Sequence, residues 1–145
     1  MITSTPFDLW RYSDEFLRAG QIVKRSIATQ VSMPALFLLG QSTELVLKAF
    51  LLGRGIPMTE LKRSYGHDLR KLLQESRRRK MGIEVKLEPM DLGMISLLGY
   101  EYLRKRYQYS QKELGETMYV PLPDETEAAV VKLVRGLRDF CEKNR

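Results

Sequence analysis

Apolar side chains recur along this chain at helical spacing. Leu9, Tyr12, Phe16, Ala19, Val23 and Ile27 stand three or four residues apart, while Arg11, Asp14, Glu15, Arg18, Lys24 and Arg25 take the other faces. That pattern predicts an amphipathic first helix with one face on a core. Thr5-Pro6-Phe7-Asp8 marks its start, with a cap residue, a proline suited to the first turn and an acid near the positive end of the helix dipole. After Met33-Pro34, residues 35–52 are apolar around almost the whole circumference, as expected of a central helix packed on several sides. Glu44 and Lys48 are its only charges. They stand i and i+4 with the acid first, so they can pair. Charge in so apolar a helix is costly unless matched, which places the pair at an edge or against a polar pocket.

Gly53-Arg54-Gly55-Ile56-Pro57 ends this helix. Residues 58–66 read as a connection with one helical turn near Thr59. A third helix starts at Asp68, with Leu69, Leu72 and Leu73 on its apolar face and Ser64 or Gly66 as its cap. Ile83, Val85 and Leu87 alternate with polar residues, which suggests a short extended linker over 81–88. Pro89 and Asp91 open a fourth helix, packed through Leu92, Ile95, Leu98, Tyr102 and Leu103, with Gly93 and Gly99 allowing close approach. A polar loop covers 108–123. Asp124-Glu125-Thr126-Glu127 then caps a fifth helix whose buried stripe is Val130, Leu133, Val134, Leu137, Phe140 and Cys141. The fold expected is all-α, an antiparallel up-and-down bundle of four to five helices forming one domain over 1–145. Evenly spaced short strands are missing.

Composition alters that picture mainly through charge. Lys and Arg number 24 against 18 Asp and Glu, a net +6 in 145 residues. Residues 62–80 hold eight bases (Lys62, Arg63, Arg70, Lys71, Arg77, Arg78, Arg79, Lys80) against Asp68 and Glu75, so this one segment accounts for the whole excess. A local positive field suits a phosphate-bearing partner or an anionic surface. Cys141 is the single cysteine, which rules out an intramolecular disulfide and a cysteine-based zinc site within one chain. The expected setting is a reducing cytoplasm, with no membrane span. No metal and no cofactor are implied, and phosphate-binding-loop, paired-histidine and glycine-flanked-serine motifs are all missing.

His67, the only histidine, lies within this basic segment in Tyr65-Gly66-His67-Asp68-Leu69. Imidazole ionises closest to neutrality, so a positioned His can exchange protons under physiological conditions. At a helix entrance, a phosphate could reach both the ring and the exposed backbone N–H groups. Asp68 or another acid would offset the helix dipole there.

The segment Ser42-Thr43-Glu44-Leu45-Val46-Leu47-Lys48-Ala49-Phe50-Leu51-Leu52, a glycine-rich exit, and Gly66-His67-Asp68-Leu69 with Leu72-Leu73 together resemble the HEPN domain. The likeness extends to Arg106-Tyr107 and the capped last helix. It implies a helical bundle, frequent homodimers, and association with nucleotides or RNA. Family members include ribonuclease toxins and non-catalytic modules that accompany nucleotidyltransferases. Ribonuclease members carry Arg, then four to six residues, then His. Here Glu60, Leu61 and Lys62 fill those offsets before His67, and Arg63 is too close.

Two readings follow. The first is a non-catalytic module that binds nucleotide, RNA or an acidic protein through residues 62–80. Arg70, Lys71, Arg77, Arg78, Arg79 and Lys80 would be its phosphate-binding residues, and Glu44, Lys48, Asp68 and Tyr107 would form a polar pocket. The second is a metal-independent endoribonuclease of toxin type, with His67 drawing a ribose hydroxyl proton and Lys62, Arg63 or Arg106 stabilising the phosphorane. One histidine cannot readily serve as both base and acid, so this second reading requires a dimeric cleft. Expected partners are a second copy of the chain, and a nucleotidyltransferase-like protein or an antitoxin.

Overall fold

The computed structural model describes residues 4–27, 31–105 and 119–145. All of the regular structure there is helical: α1 (Pro6–Ser26), α2 (Met33–Gly53), α3 (Met58–Glu60), a π-helical turn (Leu61–Tyr65), α4 (Leu69–Arg78), a 3-10 turn (Met81–Ile83), α5 (Pro89–Leu103) and α6 (Pro123–Lys143). The expected all-α class holds. Six α-helical segments appear among the described residues rather than four or five, because the connection before His67 coils into α3 and the π turn. Arg106, Tyr107 and most of the loop expected over 108–123 lie outside the described residues.

The helix starts follow local chemistry. Thr5 caps α1 reciprocally with Asp8: its hydroxyl accepts from the Asp8 N–H at 3.1 Å, and the Asp8 carboxylate accepts from the Thr5 N–H at 2.9 Å. These bonds hold the Asp8 carboxyl below the usual carboxylate range. The expected cap at Asp124 is not what forms. Pro123 takes the first position of α6, its fixed φ being already helical, and Leu122 becomes the cap residue. Asp124 is thereby released to pair with Lys24 at 2.6 Å, beside Glu127 at 2.9 Å. The 81–88 segment is likewise corrected from extended to a 3-10 turn followed by coil, with Val85 and Leu87 resting on the core.

Contacts between helices fix their directions. Ser13 meets Ser42, and Gly20 meets Ala35 and Leu39, so α1 and α2 run antiparallel. Gln21 meets Glu127 and the Trp10 indole N–H donates to the Val134 carbonyl at 2.7 Å, which sets α6 antiparallel to α1 and parallel to α2. On the far side of α2, α5 packs through Tyr102 and α4 lies against both. Helix α2 is the hub. Phe50, Leu47, Leu36 and Leu39 are fully buried, each contributing about 1.5–3 kcal/mol of hydrophobic stabilisation. Its length and composition would suit a membrane span, yet 72% of that stretch is buried inside the fold. Arg54, just past its end, lies over the rings of Phe50 (4.9 Å) and Phe140 (4.7 Å) and donates to the Arg79 carbonyl at 3.2 Å, joining α2, α4 and α6.

Helix α5 approaches α2 closely because Gly40 has no side chain. A Cβ there would come within 2.7 Å of Tyr102 Cε1. Gly99 likewise faces Leu69, as its spacing suggests, whereas Gly93 faces open space. Gly40→Ala should therefore destabilise the fold by about 1–3 kcal/mol through overpacking. Gly93→Ala should stabilise it by about 0.5–1 kcal/mol through helix propensity. Chemical denaturation of the two variants checks both signs, and equal effects would contradict the packing described.

Candidate functional site

The polar centre of the molecule is built on Glu44. Although it sits in the apolar hub helix, its carboxylate meets three donors. Lys48 Nζ donates to Oε2 at 2.9 Å, one turn further along α2. The Tyr102 hydroxyl donates to Oε1 at 2.8 Å from α5. His67 Nδ1 lies 2.9 Å from the same Oε1. A carboxylate holding Lys48 and Tyr102 accepts only, so the His67 bond assigns the proton to Nδ1. Glu44, Lys48 and Tyr102 are buried, whereas the His67 side chain is 66% exposed. The ring is thus held from inside through one nitrogen while Nε2 remains on the outer side as a proton acceptor. Burial, followed by the nearby Glu44 charge, pushes the Tyr102 hydroxyl far above its ordinary range, so it stays a donor.

Local backbone aims the ring. The π turn closes with the Gly66 N–H donating to the Leu61 carbonyl at 3.1 Å, and Gly66 then adopts φ 54°, a region that favours glycine. The chain reverses at that point and brings His67 back over α2. Asp68 next caps α4, accepting from the Lys71 N–H at 3.1 Å. This corrects the expected cap at Ser64 or Gly66: Ser64 is inside the π turn, and Asp68 has the extended backbone a cap residue needs. It also changes the expected polar pocket, because Asp68 serves the helix end while Glu44 faces His67. With that carboxylate at the helix entrance, an incoming anion would rely on side-chain cations.

The other site residues divide into two groups along α4, whose ten residues span about 15 Å. Lys62, Arg63, Arg70 and Lys71 are exposed around the His67 end. Lys71 donates to the Ser64 carbonyl at 3.3 Å, and no ion pair engages any of the four among the described residues. Arg77, Arg78, Arg79 and Lys80 gather at the opposite end. Arg78 grips Glu75 through Nε at 2.6 and 2.9 Å, and Arg79 lies 3.5 Å from Glu75 and bonds the Arg54 carbonyl. Those two arginines are partly spent on structure. These hydrogen bonds hold the Glu75 carboxyl below its ordinary range.

No protein family, curated protein or solved structure matches this chain. The site therefore rests on its own geometry. Among the described residues no group of three His, Cys, Asp or Glu side chains converges as a metal site would require. Burial pushes the Cys141 thiol up to about 12, so it persists as an inert thiol at neutral pH.

Sequence spacing exposed the Glu44–Lys48 pair but missed Tyr102, whose apolar neighbours gave it the look of a packing residue. Removing one partner should expose the dependence. Lys48→Met strands a buried carboxylate and should cost about 3–5 kcal/mol, whereas Glu44→Leu with Lys48→Met should cost much less. Tyr102→Phe should cost about 1–3 kcal/mol. Denaturant midpoints measure all three, and a double variant as unstable as Lys48→Met would refute the pairing.

Proposed function

We propose that the chain is a HEPN-like helical module of the cytoplasm whose face around His67 holds the phosphate groups of RNA or a nucleotide. Its helices would form the antiparallel up-and-down bundle typical of that family, and the module would work as a homodimer, alongside a nucleotidyltransferase-like or antitoxin partner. One observation carries the reading: an exposed imidazole, fixed from within by Glu44, stands at the end of α4 where Lys62, Arg63, Arg70 and Lys71 are also exposed, none of them ion-paired among the described residues. Cations left unneutralised around a rigid hydrogen-bonding group suit a phosphate, which combines charge with several acceptor oxygens. Arg77 and Lys80 extend the positive field along α4.

Binding of a labelled oligoribonucleotide, measured by fluorescence anisotropy over a range of salt, tests this directly. Affinity should fall steeply with salt. Neutralising Lys62, Arg63, Arg70 and Lys71 together should lower the slope of log K against log salt by about 2–3. Salt-independent binding, or a slope untouched by the fourfold variant, would count against the proposal.

A second reading is favoured by the Glu44–His67 hydrogen bond specifically. With the proton on Nδ1, Nε2 can remove the proton of a ribose 2′-hydroxyl. The resulting oxygen attacks the adjacent phosphorus, the bond to the 5′-oxygen breaks, and that oxygen must receive a proton. A second copy of His67, protonated and placed across a two-fold dimer, would supply it, while Lys62 and Arg63 offset the charge on the phosphorane. Cleavage of RNA by the purified protein in the presence of a chelator should then drop about a hundredfold or more in His67→Ala. Turnover surviving that substitution would remove His67 from the chemistry.

A further inference from the structure

A second basic concavity lies away from His67, between α1 and α6. It is an open groove of about 560 Å³, walled by Arg11 and Arg18 from α1 and by Arg135 and Arg138 from α6. The two pairs of arginines are more than a hundred residues apart in sequence, and all four side chains are exposed. Two acids share the groove. Asp14 is matched by Arg18 at 2.5 Å, which leaves Glu15 as the acid that opposes the remaining positive charge. Arg11 and Arg135 have no ion pair among the described residues. Arg138 lies 5.7 Å over the ring of Trp10, which is fixed by its bond to the Val134 carbonyl and stacked on Phe7 at 5.6 Å. The floor is rigid and aromatic, and the walls are guanidinium.

We propose that this groove is an anion site for linked phosphate groups, either the polyphosphate of a free nucleotide or successive phosphates of an RNA strand. The volume is that of a small-ligand site. The two walls approach an occupant from opposite sides, and a phosphate offers oxygens in both directions, whereas a carboxylate presents a single edge. Arg11 and Arg18 stand seven residues apart on one helix, roughly 10 Å along its axis. That spacing favours a ligand with several anions in series over a lone ion. Arginine forms all four cationic positions, as befits bidentate recognition of phosphate. The site is separate from the surface around His67 and does not depend on it.

Trp10 is the only tryptophan in the chain and lines this groove, so its fluorescence serves as a reporter there. Titration at constant ionic strength with inorganic tripolyphosphate, and separately with an oligoribonucleotide, should give a saturable change. A response to tripolyphosphate alone identifies the free-nucleotide source, and a response to the oligoribonucleotide alone identifies the strand. Calorimetric titration of Arg11→Glu with Arg135→Glu, which leaves Arg138 on the Trp10 ring, should show affinity weakened about tenfold or more. Glu15→Gln should bind more tightly. Lys62→Ala with Arg63→Ala should leave the Trp10 response unchanged, which separates this site from the proposed His67 surface. Overturning results are no saturable response to either probe, equal affinity in the double variant, or tighter binding of polyglutamate than of both phosphate probes.

Discussion

A carboxylate buried in the most apolar helix of the molecule organises what surrounds it. Glu44 cannot be left without donors there, because an uncompensated charge in that setting is far more costly than any single packing contact. Its three partners come from three places: Lys48 from the same helix, Tyr102 from α5, and His67 from the turn before α4. Meeting Glu44's needs therefore fixes how close α5 comes, which explains why Gly40 must be small, and where the chain reverses, which explains the positive φ at Gly66. The exposed imidazole is in this sense a product of the core. Its position follows from the donors a buried acid requires.

The helical elements and the Glu44–Lys48 pair were legible in the sequence because both obey short-range rules. Amphipathic spacing located the long helices, and an acid four residues before a base located the pair. The remaining contacts of Glu44 were not legible, since His67 and Tyr102 are 23 and 58 residues away and no local pattern connects them. Tyr102 was concealed by its own chemistry. Its ring packs near Phe37 at 6.0 Å and against Gly40, and only its hydroxyl departs from an apolar role. The caps of α4 and α6, Asp68 and Leu122, escape local rules for a related reason. Several residues in each segment could serve as a cap, and the choice fell to the π turn in one case and to Pro123 in the other.

Charge shows the same limit more sharply. Counting along the chain puts the entire excess within 62–80 and leaves the rest balanced. Folding leaves those totals unchanged but redistributes the charge within each part. Glu75 engages Arg78 and Arg79, so the far end of the basic run is partly neutralised, while the cations around His67 remain unpaired among the described residues. Meanwhile the balanced remainder separates by sign. Asp124 and Glu127 are drawn to Lys24 at one end of the α1–α6 seam, which leaves arginines concentrated along the rest of it. Net charge sets the strength of a distant field, but recognition depends on which charges are left without partners after folding.

The Lys48 ammonium also decides what Glu44 can give to His67. Were the carboxylate alone, it would act on the ring as a full negative charge in a poorly screened interior. Paired with Lys48 at 2.9 Å, it acts through a directed hydrogen bond to Nδ1 while the buried pair is neutral overall. The interior therefore settles the tautomer and orientation of the ring, and the cations outside it set the local potential. Glu44 is consequently a positioning group, and what occupies the face around Nε2 depends on Lys62, Arg63, Arg70 and Lys71. That division leaves one arrangement compatible with either proposed role, phosphate binding or proton transfer. Both require a fixed ring with an outward acceptor, and they part only at whether a second imidazolium reaches the leaving oxygen.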